Sequence, residues 1–158
     1  MGIKVVRWQL TPGSPLPREV APPPVLPPGE IVVLVPYGSL FFASAPVFEA
    51  QLPQVEPQSM GSVVVLRLRG TQDLGSTFVQ ALTRYRDRLE VVGSHLVLAG
   101  LGDRVLAQLS ATGALEALGT ENVFPATADV GASLSLAIER ARMLRAGEHG
   151  GDQRPGPS

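Results

Sequence analysis

The chain has no cysteine among its 158 residues and only two histidines, His95 and His149. The absence of thiols excludes disulfides, thiolate nucleophiles and cysteine-ligated metals. A metal site needs several convergent ligands, so we interpret His95, which lies in an apolar run, as a residue at the edge of a strand. The sequence therefore predicts no metal and no cofactor.

An excess of charge of one sign is also lacking. The chain carries 13 Lys and Arg against 14 Asp and Glu, which gives a formal net charge of −1 and a pI near 6.1. This balance provides no general attraction to nucleic acid or to anionic lipid. No carboxylate pair or serine–histidine arrangement can be assembled from the sequence, so we expect that the protein is not an enzyme.

Segments typical of export or of membrane insertion are scarce. Met1–Leu10 has no apolar core of the kind found in a secretory signal. Ile31–Phe48 is uncharged over 18 residues, a length that can indicate a transmembrane helix. Pro36, Gly38 and Pro46 divide it into a strand, a turn and a helix start, so we interpret it as part of a soluble domain.

What the chain does contain is a 44% share of hydrophobic residues, enough for a packed core. The stretch that organises it is Gly61–Leu82, which predicts a strand over Ser62–Leu68, a small polar loop over Gly70–Thr77 and the start of a helix over Thr77–Val92. One apolar face of this helix is predicted at helical spacing, with the residues Phe78, Val79, Leu82, Tyr85 and Leu89. A loop that ends at a helix N-terminus is where ligands and switches lie in parallel α/β sheets.

The order of predicted elements indicates a single α/β domain with a mixed, mostly parallel sheet of about five strands and about four helices. We predict an edge strand within residues 1–10, a proline-rich connection over 11–29 that forms neither helix nor strand, a domain core over 30–145 and a disordered tail over 146–158. In the last helix Val130, Leu134, Ala137, Ile138 and Ala141 are expected to face the core. The predicted strands are Ile3–Leu10, Glu30–Pro36, Ser62–Leu68, Ser94–Ala99 and Asn122–Phe124, and the helices are Ala43–Gln51, Thr77–Val92, Asp103–Thr112 and a final one that ends near Leu144.

The loop before the long helix offers Asp73, Gly75, Ser76 and Thr77 as candidate regulatory residues. A phosphate on a hydroxyl there would meet the helix dipole and free N–H groups. The alternative is a capping box, in which Thr77 accepts a hydrogen bond from the backbone of Gln80 and the Gln80 side chain bonds back. The pattern favours capping.

A second glycine turn, with Gly100 and Gly102, precedes another predicted helix. It lacks the lysine of a P-loop and the third glycine of a dinucleotide fingerprint. Nucleotide binding is therefore a weak hypothesis, and a tight strand-to-helix turn is favoured.

Several runs together resemble a STAS domain, most closely the cytoplasmic C-terminal STAS domains of SulP-type (sulfate permease) anion transporters. They are YGSLFFASAPVFEAQLP, then SVVVLRLRG, then GSHLVLAGL. The resemblance implies a non-catalytic regulatory domain at the inner face of the cell membrane. Its partner would be the membrane domain of an anion transporter, on the same or a separate chain, and a homodimer is a further partner to consider. The candidate contact residues are Tyr37, Leu40, Phe41 and Phe42.

The alternative branch of the same family is the anti-sigma-factor antagonists, which a partner kinase phosphorylates in an Asp-x-Ser/Thr-Gly motif at the helix start. In this chain Thr77 matches the hydroxyl, but Gly75 replaces the aspartate and Phe78 replaces the glycine. This departure favours the transporter branch. Since the chain shows no membrane span, we expect an excised domain, a late gene start or a stand-alone module.

Overall fold

The computed structural model describes residues 2–40 and 45–150, with side chains described up to residue 147 in the last helix. The fold is the predicted mixed α/β class, with six strands and five helices in the described part. The strands are β1 Lys4–Gln9, β2 Arg18–Val20, β3 Ile31–Tyr37, β4 Val63–Arg67, β5 His95–Leu101 and β6 Val123–Pro125. The helices are α1 Ala45–Gln51, α2 Ser76–Val91, α3 Asp103–Ala111, α4 Ala114–Leu118 and α5 Ala132–Gly150.

The sheet has the strand order β2-β1-β3-β4-β5-β6. β3, β4, β5 and β6 are parallel, whereas β1 is antiparallel to both of its neighbours. The prediction that β1 is an edge strand was wrong, because β2 lies outside it. The prediction that the proline-rich connection forms no strand was also wrong, because β2 lies within it. Residues 18–20 lie between Pro17 and Pro22 and have backbone N–H groups that can pair with β1.

Helices α1 to α4 cover one face of the sheet and α5 covers part of the other. The larger core includes the predicted apolar face of α2, with Phe78 and Leu82 buried and the Phe78 ring 5.3 Å from that of Phe48. The smaller core joins Leu134, Ala137 and Ala141 of α5 to the sheet. Val130 is 76% exposed, contrary to prediction, because α5 begins only at Ala132 and Val130 precedes its first turn.

Three buried serines close the amino end of the parallel strands. The Ser94 hydroxyl donates to the Ser59 carbonyl and accepts from the Ser62 N–H at 3.0 Å. The Ser62 hydroxyl in turn donates to the Pro27 carbonyl and accepts from the Glu30 N–H, while the Ser59 hydroxyl donates to the Leu26 carbonyl at 2.7 Å. Through these bonds the end of the proline-rich connection is fixed to the sheet.

The outer edge of β1 is only partly covered by β2, which pairs with Arg7, Trp8 and Gln9. Further back along the strand, the side-chain amide of Gln51 accepts from the Val5 N–H and donates to the Ile3 carbonyl, both at 2.7 Å. The amide of one α1 side chain thus satisfies two backbone groups that the short strand β2 leaves open.

Candidate functional site: the cleft at the carboxyl ends of the strands

A cleft of about 410 Å³ lies where β3 and β4 end. Because carboxyl ends of parallel strands meet at one edge of a sheet, the loops after these strands lie side by side. Among the described residues the cleft is lined by Gly38, Ser39, Leu40, Gly70, Thr71, Gln72 and Asp73. The structure therefore brings together the two loops that the sequence marked separately.

The loop between β4 and α2 is held at several points along its length. The Thr71 N–H donates to the Leu68 carbonyl at 3.1 Å. Leu74 is buried in the larger core, and its N–H donates to the Gln108 side chain at 2.8 Å. Asp73 lies 3.6 Å from the exposed guanidinium of Arg104, an ion pair that contributes little because water screens it.

Ser76 and Thr77 are both exposed in the first turn of α2, next to the cleft but outside its lining. The N-cap is Gly75, whose carbonyl accepts from the N–H groups of Phe78 and Val79, and no side chain caps the helix. The predicted capping box was wrong because the N-cap is Gly75, two residues before Thr77, and Thr77 lies inside the helix. The two hydroxyls therefore have no capping role in the structure.

The predicted partner-contact residues fall into three groups. Tyr37 ends β3 and is 46% exposed, so it is accessible. Leu40 is 2% exposed and packs in the larger core, which gives it a packing role in this chain. Phe41 and Phe42 lie outside the described residues. The contact role of Tyr37 stays a prediction.

Gly100 lies on the neighbouring strand β5 and Gly102 directly follows it; neither lines the cleft. Gly100 has φ +79°, and a Cβ built there would come 2.9 Å from the Cβ of Arg69 and 3.0 Å from its backbone nitrogen. Gly102 has an extended backbone as the N-cap of α3 and open space around it. Close packing against Arg69, whose guanidinium donates to the Thr127 carbonyl, accounts for Gly100. Nucleotide binding stays an untested hypothesis.

On the face covered by α5, the Arg67 guanidinium lies 4.9 Å from the centre of the Trp8 ring. Such an arrangement is a cation–π contact. Burial lowers the pKa of Arg67, and the nearby charge of Arg69 lowers it further; the group stays cationic at neutral pH because arginine starts from so high a value.

Sequence reasoning missed Gln108. Its side-chain amide crosses from α3 to hold the loop that precedes α2, at a separation of 34 residues. Its position on α3 looks like that of any polar residue on a helix surface, so no local pattern could reveal the contact. Ser39 and Gln72 were missed for a similar reason, since only the pairing of β3 with β4 brings them to one cleft.

Comparison with known families identifies the class. The model of the STAS domain family matches residues 23–130, which is more than half of the chain, and the chain belongs to this family. The expected resemblance is thereby confirmed. No curated protein matches the sequence.

Several solved structures are similar to this chain. A sulfate transporter family protein from Wolinella succinogenes is similar at 27% identity and a TM-score of 0.56, over 76% of this chain and 90% of that one. The overall structure of SLC26A9 is similar in fold at 15% identity and a TM-score of 0.63, over 97% of this chain. Murine Slc26a9, an anion transporter in its inward-facing state, is similar at 15% identity and a TM-score of 0.60, over 90% of this chain.

This chain spans 26% and 22% of the length of the two SLC26A9 chains. In the part of the chain that the structure describes, no helix has the length and apolar character needed to cross a membrane.

Proposed function

We propose that this chain is a non-catalytic regulatory domain that acts on a sulfate-type anion transporter through protein contacts, on the cytoplasmic side of the membrane. Its partner is the membrane domain of the transporter, on the same or another polypeptide. The cleft at the carboxyl ends of β3 and β4, with Tyr37 exposed beside it, is the surface that we assign to this contact.

The observation that carries the proposal is the similarity to the Wolinella sulfate transporter family protein, which extends over 90% of that chain. The shared region is therefore nearly the whole of the related structure, rather than one motif within it. The SLC26A9 structures support the same fold in a membrane transporter.

The test is an uptake measurement with the intact transporter gene, in cells that carry a deletion of this domain. We expect lower uptake of labelled sulfate or lower surface level of the transporter. A Tyr37→Ala variant should weaken uptake at unchanged domain stability. Val130→Ala should not, because Val130 is also exposed, at 76% against 46% for Tyr37, but does not belong to the proposed contact surface. Unchanged uptake at equal expression of the deletion would overturn the proposal.

A second function is favoured by one observation. Ser76 and Thr77 are exposed at the start of the 16-residue helix α2, and neither side chain makes a capping hydrogen bond. A phosphate there would be stabilised by the unpaired N–H groups of the first turn. The chain would then act as a partner-switching protein for an anti-sigma kinase.

Mass spectrometry of the protein purified from stressed and unstressed cells tests this second function. Phosphate on Ser76 or Thr77 that changes with stress would support it. Detection of only the unmodified peptide in both conditions would count against it. Ser110, exposed near the end of α3, is the internal control for unspecific phosphorylation.

A further inference from the structure

A groove runs beside α5 on the sheet face that this helix covers only in part. α5 packs mainly against β4, β5 and β6 and less against β3, and β1 lies to its side. The groove has a volume of about 530 Å³. Its apolar floor is formed by Trp8, Ile31, Val33 and Ile138.

The rim of the groove is basic. Ile138, Arg142 and Arg145 stand at spacings of four and three residues on α5, which places them on one helix face. No ion pair with Arg142 or Arg145 exists among the side chains described at 2–40 and 45–147. The described lining contains no aspartate or glutamate.

Two other arginines are near the groove and differ in their engagement. Arg7 contributes to the lining, but its guanidinium is paired with Glu30 at 3.3 Å. Arg67 lies over the Trp8 ring and adds a third positive charge near the floor. In a chain with a net charge of −1, this is a local concentration of positive charge beside exposed apolar surface.

We infer that the groove binds a short segment of a partner polypeptide in which carboxylate and apolar side chains alternate. The carboxylates would accept hydrogen bonds from Arg142 and Arg145, since arginine presents a planar fork that matches a carboxylate. The apolar side chains would cover Trp8 and Ile138. This inference is independent of the transporter proposal.

The chemistry of the groove favours an acidic peptide over a small inorganic anion and over an anionic membrane. A small inorganic anion would satisfy the rim but would not cover the half-buried side chains of Trp8, Ile31 and Ile138. An anionic membrane attracts proteins through a broad basic surface. The positive charge here is confined to one groove, because Glu19 in β2 and Glu139 in α5 lie just outside its lining.

Trp8 is the chain's one tryptophan, so its fluorescence reports directly on the floor. The probe is an eight-residue synthetic peptide that alternates glutamate with leucine, titrated into the full chain at low salt. The matched probe alternates glutamine with leucine. We expect a change in Trp8 emission with the glutamate peptide and binding about tenfold weaker with the glutamine peptide.

The variant Arg142→Gln/Arg145→Gln should weaken binding of the glutamate peptide by about tenfold or more. Arg88→Gln/Arg104→Gln removes the same charge from exposed positions on α2 and α3 and should bind as the original chain does. Equal binding of both peptides, or equal affinity of both double variants, would overturn the inference. Binding to phosphatidylserine vesicles with no response to the peptide would also overturn it and assign the groove to lipid.

Discussion

The two ends of the parallel strands differ in how their polar groups are satisfied. At the amino end, buried hydroxyls of Ser59, Ser62 and Ser94 bond backbone groups of three separate segments. At the carboxyl end, the loops leave an open cleft, and the hydroxyls of Ser76 and Thr77 are exposed next to it. One end is therefore built for stability and the other is free to carry function, in keeping with the location of ligand sites in such sheets.

One position at the carboxyl end, Gly100, is tightly packed, unlike the open cleft beside it. A substitution there should cause the largest loss of stability. Gly100→Ala would place a methyl group against the backbone of Arg69 in a left-handed conformation. We expect a loss of about 3 kcal/mol in the free energy of unfolding, measured by urea denaturation.

Gly70→Ala is the matched control, because Gly70 has φ +88° with open space around it. Strain alone should then cost about 1 kcal/mol. Equal losses in the two variants would show that the close contact between Gly100 and Arg69 does not contribute to stability.

The amino end should respond to the loss of a single hydroxyl. Ser94→Ala leaves the Ser59 carbonyl and the Ser62 N–H without their partner in a buried place. We expect a loss of about 2 kcal/mol in the free energy of unfolding. Ser110→Ala, at an exposed site on α3, should change it by less than about 0.5 kcal/mol; a similar loss in both would contradict the contrast between buried and exposed hydroxyls.

The buried hydroxyl of Tyr85 on α2 makes the free energy of unfolding depend on pH, whereas an exposed hydroxyl does not. The Tyr85 hydroxyl donates to the Pro53 carbonyl at 2.7 Å, and burial raises the pKa of Tyr85 because it disfavours the phenolate. Above the ordinary tyrosine pKa of about 10, the unfolded chain loses this proton while the folded chain keeps it. The free energy of unfolding should therefore fall as pH rises above about 10.

Tyr85→Phe should cost about 1 kcal/mol at neutral pH and should lack this alkaline decline. Denaturation curves of both proteins at about pH 8 and about pH 11 give the comparison. The exposed Tyr37 is present in both the original chain and the Tyr85→Phe variant, so its contribution to the pH dependence cancels in the comparison. Parallel declines would mean that Tyr85 does not hold its proton more tightly in the fold.

The smallest effect is expected at the exposed hydroxyls. Ser76→Asp places a negative charge at the start of α2 and should raise the free energy of unfolding by about 0.3–0.5 kcal/mol at low salt. Ser110→Asp, in the last turn of α3, should lower it by a similar amount. A loss of stability from Ser76→Asp would show that this turn has no room for an added negative charge.

The elements with a strong internal pattern were predictable from the sequence. The apolar runs gave β3, β4 and β5, and the spacing from Phe78 to Leu89 gave the buried face of α2. Local patterns cannot specify contacts between distant segments. β2 has three residues between prolines, and its pairing with β1 depends on the sheet that β3 provides.

The candidate site was predictable only in part. A polar loop after β4 was expected, although the last two residues of the predicted range 70–77, Ser76 and Thr77, belong to α2. The amide of Gln108 and the neighbouring loop at Ser39 come from elements far along the chain. The start of α2 was misplaced by one residue, because a glycine N-cap has no side chain to mark it.

The side-chain amide of Gln51 has a consequence for the protein in concentrated solution. An uncovered strand edge is a template on which a second chain can add a strand, and proteins protect such edges. By occupying the Val5 N–H and the Ile3 carbonyl, Gln51 removes two positions at which an incoming strand would begin to pair. Beyond it, β2 ends the sheet with only three residues. On this side of the sheet, the Gln51 amide and the short strand β2 thereby leave few backbone groups of β1 to which a neighbouring molecule could add a strand.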